Sequence, residues 1–329
     1  MLLKYWPQKT NLSFMNLRLI GAVVSAVLIA SSIFFLAMRG LNFGVDFAGG
    51  TVMELEQTDT ITVEGVRQAM PLNADVNSAV GTDARSIVVV KYGEADASIL
   101  GEEFQALSAT DQAERATGAT NELVTETLKE ALGITDEQIL RNDSVGPKVS
   151  QELFRDGITA LIAALALMLV YIWFRFEWQF SVGAVAALAH DVIITLGVFA
   201  FLQMEFNLTT IAALLTIIGY SMNDTVVVFD RVREERRKYK KMPDRQVIDQ
   251  SLNSTLSRTL LTSGTTLLAL FAIFFLGGPV LRGMSFALIW GIFIGTYSSI
   301  FIASAIVLSL GMDLNKKPAE EVTGFQGVR

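Results

Sequence analysis

Residues 208–231 read LTTIAALLTIIGYSMNDTVVVFDR, and from Leu208 to Phe229 the one charged residue is Asp224. A helix needs roughly 20 mostly apolar residues to cross a ~30 Å hydrocarbon core, so this stretch predicts a membrane span with a carboxylate inside it. Asp230 and Arg231 follow Asp224 by six and seven positions, about 10 Å at 1.5 Å rise per residue. A carboxylate at that depth costs at least a few kcal/mol. Its functional reading is a group that binds and releases a proton. The competing reading is a helix–helix hydrogen bond aided by Asn223 and Thr225.

Five further segments meet the same length test. Twenty uncharged residues lie between Arg18 and Arg39, and thirty between Arg282 and Asp313. The others lie between Asp156 and Arg175, from Phe180 to Leu202 (interrupted only by His190-Asp191), and between Arg258 and Arg282. The expected spans are 17–39, 153–175, 180–202, 208–229, 259–277 and 283–311. Around them lie an N-terminus at 1–16, an external domain at 40–152, a basic loop at 230–258 and a tail at 312–329. The first apolar run exceeds the usual 7–15 residues of a signal-peptide core, and no small-residue cleavage site follows it, so it is read as retained.

Composition agrees with this class. Of 329 residues 51% are hydrophobic and 18% charged, with mean hydropathy +0.45, against about 25% charged in soluble domains. With no Cys and one His, a disulfide scaffold and a zinc–thiolate site are excluded. No Ser/His/Asp arrangement is available, since the only His lies in a span. No nucleotide-binding fingerprint appears, so neither enzyme activity nor a cofactor or metal is expected. The basic stretch is short and nearly free of aromatics, which argues against nucleic acid.

Charge placement sets an expected orientation. Lys4, Lys9 and Arg18 precede the first span, Arg175 follows the second, nine basic residues occupy 230–259, and Lys316, Lys317 and Arg329 lie in the tail. By the positive-inside rule both termini are cytoplasmic and 40–152 lies outside. That external segment holds 20 Asp/Glu against 7 Lys/Arg. Strand patterns at Thr51–Glu56, Ala74–Val80, Ser86–Tyr92 and Gln138–Val145, with helices at Thr62–Met70 and Thr120–Leu132 stopped by Gly133, give the order βαββαβ of a ferredoxin-like sandwich. The Ala-rich stretch 94–117 reads as an insertion.

Other residues carry two readings each. Arg258 either snorkels at the span boundary or pairs with Asp224. Thr262, Ser263, Thr265 and Thr266 either hold water for a relay or make ordinary helix contacts. His190 and Asp191 are either a relay with Asp224 or a packed pair. Gly44, Asp46, Gly49 and Gly50 read as a tight structural approach to the first strand with no helix opening there, and Gly146-Pro147 as a defined bend. Gly291-x-x-x-Gly295 is a close-packing signature.

Taken together, GLNFGVDFAGGTVMEL, SVGPKVSQEL, ALAHDVIITLG, IIGYSMNDTVVVFDRVRE and SLNSTLSRTLLTSGTTLLAL resemble the SecD/SecF family of protein-export membrane proteins, within the resistance-nodulation-division superfamily. The resemblance covers about residues 15–312. It implies six transmembrane helices as half of a pseudo-symmetric unit shared with SecD in the bacterial inner membrane. It also implies a periplasmic α+β domain and work beside the SecYEG channel and the SecA motor, with YajC and YidC as associates. The proton gradient, or sodium in some members, would drive preprotein movement. The family's ion-coupling carboxylate maps onto Asp224 and its partner arginine onto Arg258. The alternatives are half of a small-molecule or lipid efflux transporter, or a non-transporting assembly factor.

Overall fold

The computed structural model describes residues 10–80 and 86–312. The basic residues Lys4, Lys9, Lys316, Lys317 and Arg329 lie outside the described residues. A helix, α1 (Arg18–Arg39), leads into a two-residue strand β1 (Asn42–Phe43) and a single helical turn α2 (Val45–Ala48). The reading of this segment allowed no helix; one turn forms, with Gly44 at its N-cap. The backbone then enters β2 (Gly50–Glu56). Gly50 has φ +108°, and a Cβ there would stand 2.5 Å from the Tyr92 carbonyl oxygen, so only glycine fits.

The domain continues with α3 (Val63–Ala69), β3 (Ala74–Val80), β4 (Ser86–Tyr92), α4 (Glu102–Gln105), α5 (Ala109–Leu132) and β5 (Ile139–Val145). Its strands lie in the order β3-β4-β2-β5, each neighbour antiparallel, which is the ferredoxin-like arrangement. Central β2 pairs Met53 with Val90 on one side and Asn142 on the other. Met53, Leu55, Val88 and Val90 pack with Val66 of α3 and with Val124 and Leu128 of α5.

Stretch 94–117 is less of an insertion than its composition suggests. Ser108 caps the Asp111 amide, and α5 begins at Ala109, eleven residues before the expected start. An N-cap at Ser108 and helix formers such as Ala113, Glu114 and Ala116 extend a helix whose later turns, through Val124 and Leu128, are anchored in the core. Gly133 ends it as expected, at φ +66° with its amide on Lys129.

The membrane part comprises α6 (Pro147–Arg175), α7 (Trp178–Leu202), a two-residue strand β6 (Glu205–Phe206), α8 (Leu208–Lys238), α9 (Asp244–Leu276) and α10 (Gly278–Ser298). A π turn (Ser299–Ala303) then joins α10 to α11 (Ser304–Leu310). Gly146 caps α6 and Pro147 takes its first position, where a missing N–H costs nothing. Segment 230–258 is not a loop for most of its length. α8 runs on to Lys238 and α9 starts at Asp244, with Arg231–Glu235 and Arg236–Asp244 ion pairs along the way.

Among the described residues six helices are long and apolar enough to cross a membrane. Over half of the α7 and α8 spans and half of the last are buried, against 17% for α1, α6 and α9, so α7, α8 and α10 form the core. α10 reaches α8 through the Gly291/Gly295 face. A Cβ at Gly291 would come within 2.3 Å of Ile217, and one at Gly295 within 3.1 Å of Ser221. Small residues are what let helices approach this closely in lipid.

Candidate functional site

Asp224 stands on α8 where α9 and the end of α10 converge, and it is buried. Thr259 of α9 donates its hydroxyl to Oδ1 at 2.5 Å. Ser299, first residue of the π turn, donates to Oδ2 at 2.8 Å. π turns interrupt helices disproportionately at functional sites, and this one opens on the serine that holds the carboxylate. Ser299 has a second acceptor, the Thr296 carbonyl at 3.0 Å.

Arg258 is not part of this contact. Among the described residues it makes no ion pair with Asp224, and it is exposed. Helix geometry accounts for the missing contact: neighbouring residues on α9 differ by about 100° around the axis, so Thr259 rather than Arg258 meets Asp224, while the Arg258 charge stays near enough to act on the carboxylate. The relay hydroxyls are likewise redistributed. Thr262, Thr265 and Thr266 bond to carbonyls of their own helix, and Ser263 meets Tyr220 and Thr296. Asn223 is exposed and Thr225 buried; neither bonds to a carboxylate among the described residues.

Close by on α8 and α10 sit the serines that hold a second carboxylate. Asp191 of α7 accepts from Ser221 of α8 at 2.6 Å and from Ser298 of α10 at 2.8 Å. Its other oxygen faces His190 Nδ1 at 3.0 Å. The adjacent residues Ser298 and Ser299 therefore hold Asp191 and Asp224 respectively, and Ser221 and Asp224 lie three positions apart on α8. Sequence reasoning missed Ser221, Thr259, Ser298 and Ser299. The one available signal was the Ser-Ser pair inside an apolar span.

Asp46, read as structural, accepts the Leu208 amide at 2.9 Å and so adds to the Asn207 cap of α8, the helix that carries Asp224. A carboxylate is favoured at a helix N-terminus. β1 pairs in parallel with β6, Asn42 to Glu205 and Phe43 to Phe206. Phe43, Phe47, Phe154 and Phe206 form an aromatic cluster at this junction, with centroids 5.5–6.3 Å apart. Lys91 of β4 forms an ion pair with Glu205.

A bundle of six apolar helices around two hydroxyl-held carboxylates, with an α+β domain joined at one end, defines a multi-pass membrane protein of transporter type. The chain belongs to the SecD/SecF family of protein-export membrane proteins. The family model "Protein export membrane protein SecD/SecF, C-terminal" matches residues 124–313, and "SecD/SecF GG Motif" matches 34–56. It is similar to the protein translocase subunit SecF of Rhodobacter capsulatus, at 44% identity over 98% of this chain and 96% of that one. It is also similar to the protein translocase subunit SecDF of Brucella abortus, at 38% identity over 98% of this chain and 40% of the longer one. Among solved structures, SecDF from Thermus thermophilus, described as a translocon-associated membrane protein, superposes with a TM-score of 0.75 at 35% identity, over 93% of this chain and 39% of that one. The chain thus spans about two-fifths of these SecDF proteins.

Proposed function

We propose that this chain works in protein export as the SecF-type half of a unit with SecD, and that Asp224 couples preprotein movement to an ion gradient. Support for SecD as partner comes from the fused SecDF relatives, in which one chain carries both parts of the name. On this reading the chain sits in the bacterial inner membrane with both termini cytoplasmic and the α+β domain in the periplasm. It acts beside SecYEG and SecA, with YajC and YidC as associates.

The observation that carries the proposal is the pair of hydroxyl donors on a buried carboxylate. Ionised, Asp224 accepts from both Thr259 and Ser299. Protonated on Oδ2, it becomes a donor there, and Ser299 must accept and redirect its own proton to Thr296, whose carbonyl is already in reach. Proton uptake thus reverses the bond between α8 and the end of α10 and sends the Ser299 proton to the Thr296 carbonyl. A ligand that discriminates between two packings is what shifts their populations.

Asp224→Asn tests this. The amide keeps size and hydrogen bonding but removes the titratable proton. In a reconstituted complex with SecD, SecYEG and SecA, the variant is expected to insert and assemble normally and to lose the gradient-dependent part of export. Export equal to that of the parent at every gradient would make Asp224 a structural contact. Running proton and sodium gradients separately identifies the ion.

A further inference from the structure

A buried polar chain leads away from Asp191 toward α1. The Tyr297 hydroxyl lies 2.6 Å from the Gly21 carbonyl oxygen and 3.0 Å from Ser25 Oγ. Ser25 Oγ lies 3.1 Å from His190 Nε2, and His190 Nδ1 lies 3.0 Å from Asp191 Oδ1. His190 and Asp191 are 3% and 1% exposed.

Counting protons along this chain fixes its direction. A carbonyl only accepts, so Tyr297 gives its single proton to Gly21. Ser25 must then donate to Tyr297, and has no proton left for His190. Nε2 therefore carries hydrogen and donates to Ser25. At the far end Ser221 donates to Asp191 Oδ2, and Ser298 makes the shorter of its two bonds there, 2.8 Å against 3.1 Å to Gly295. Between Nδ1 and Oδ1 one proton must sit, because two bare acceptors would repel at that distance. On nitrogen it makes an imidazolium–carboxylate pair; on oxygen it makes two neutral groups. Both forms have no net charge, which is how such a pair avoids the cost of an unpaired buried ion.

The groups around it are few. α1 brings only Ser25 and the Gly21 carbonyl, α8 brings Ser221 with Asp224 one turn on, and α10 brings Tyr297 and Ser298. The π turn and α11 contain no ionisable side chain, and the charged residues of α6 sit at its ends. Among the described residues no Lys or Arg pairs with His190 or Asp191.

We propose that His190 and Asp191 form a second intramembrane proton site, sharing one proton, and that it positions Asp224 through the Ser298-Ser299 step on α10 and the Ser221–Asp224 turn on α8. A proton lost or moved at one carboxylate changes the hold on α10, and α10 carries the donor to the other. The functional part rests on Asp224 as the ion-coupling group; the proton count does not.

His190 is the chain's only histidine, so isotopically labelled histidine gives one imidazole to read by solid-state NMR in lipid, with SecD present. The expected spectrum has Nε2 protonated and Nδ1 sharing a proton. Asp191→Asn is expected to keep the first and abolish the second, and Asp224→Asn to shift the Nδ1 signal. Separately, His190→Gln is expected to leave assembly intact and move the pH of half-maximal gradient-driven export. An unprotonated Nε2, or an Nδ1 signal indifferent to Asp191→Asn, would overturn the site. An Nδ1 signal indifferent to Asp224→Asn, or an unmoved pH profile in His190→Gln, would overturn its link to Asp224. If instead Asp224→Asn keeps full gradient dependence while the imidazole behaves as expected, the reading of Asp224 fails and the proton site stands.

Discussion

Thr259 and Ser299 approach Asp224 on its two separate oxygens, and that division of labour can be tested one donor at a time. Thr259→Val and Ser299→Ala each leave a buried acceptor short of a partner, at about 1–3 kcal/mol. Thermal unfolding of the purified chain is expected to show that loss, and gradient-driven export to fall in both variants. Because the donors share one carboxylate, the double variant should lose less than the sum of the single losses. Arg258 belongs to a different experiment. Exposed on α9 and unpaired with Asp224, it can be replaced by Ala with a stability change within about ±0.5 kcal/mol. Lys retains the charge without the planar fork, so Arg258→Lys is expected to export better than Arg258→Ala. Equal export by the two would make Arg258 a membrane-surface anchor.

Between helices, the distance that makes the site is set by glycines. Gly295 of α10 lies against Ser221 of α8, one turn from the residues that hold the two carboxylates. Gly295→Val would drive branched carbons into Ser221 and part the two helices. Overpacking of this kind typically costs 1–3 kcal/mol, and here it also lengthens the Ser298 and Ser299 bonds. The expected result is a folded complex of reduced stability whose gradient-driven export falls more than its yield. Gly197 tests the seat of α1, the helix that brings Ser25 to His190. Its Cβ would lie 2.1–2.5 Å from atoms of Ser32, one of them backbone, so Gly197→Ala should displace α1 and lower stability. An unchanged melting temperature in Gly197→Ala would show that α1 is free to shift.

For the whole molecule, the question is how an event at Asp224 reaches the α+β domain. Asp46 helps cap α8, β1 pairs with β6, and Lys91 meets Glu205, so the base of the domain is fastened to the start of the helix that carries Asp224. This supports rigid-body motion of the domain with α8. The chain has no cysteine of its own, so Lys91→Cys with Glu205→Cys can be bridged by a short bifunctional thiol-reactive reagent such as a bis-maleimide at one chosen place. The bridged complex is expected to assemble normally and to keep gradient-driven export, because the bridge fixes a contact that rides with α8. Loss of export on bridging, with each single-cysteine variant unaffected by the reagent, would show that the domain must part from α8 to work.

The six apolar spans, the strand order and a buried carboxylate within the fourth span were legible in the sequence, because each depends on the length and periodicity of apolar runs. Gly133, Gly146-Pro147 and the Gly291/Gly295 face were legible for a similar reason, since backbone sterics act locally. The length of α5 and the helical nature of 230–258 were not read, although capping at Ser108 was there to be seen. What only the tertiary structure decided is which hydroxyl meets which carboxylate. A serine or threonine in a span satisfies its own helix by default, as Thr262, Thr265 and Thr266 do. Whether it reaches across instead depends on the rotation and crossing of its helix. Such rotations put Thr259 rather than Arg258 in contact with Asp224, and they brought Ser25 and Tyr297, more than 270 positions apart, onto one histidine.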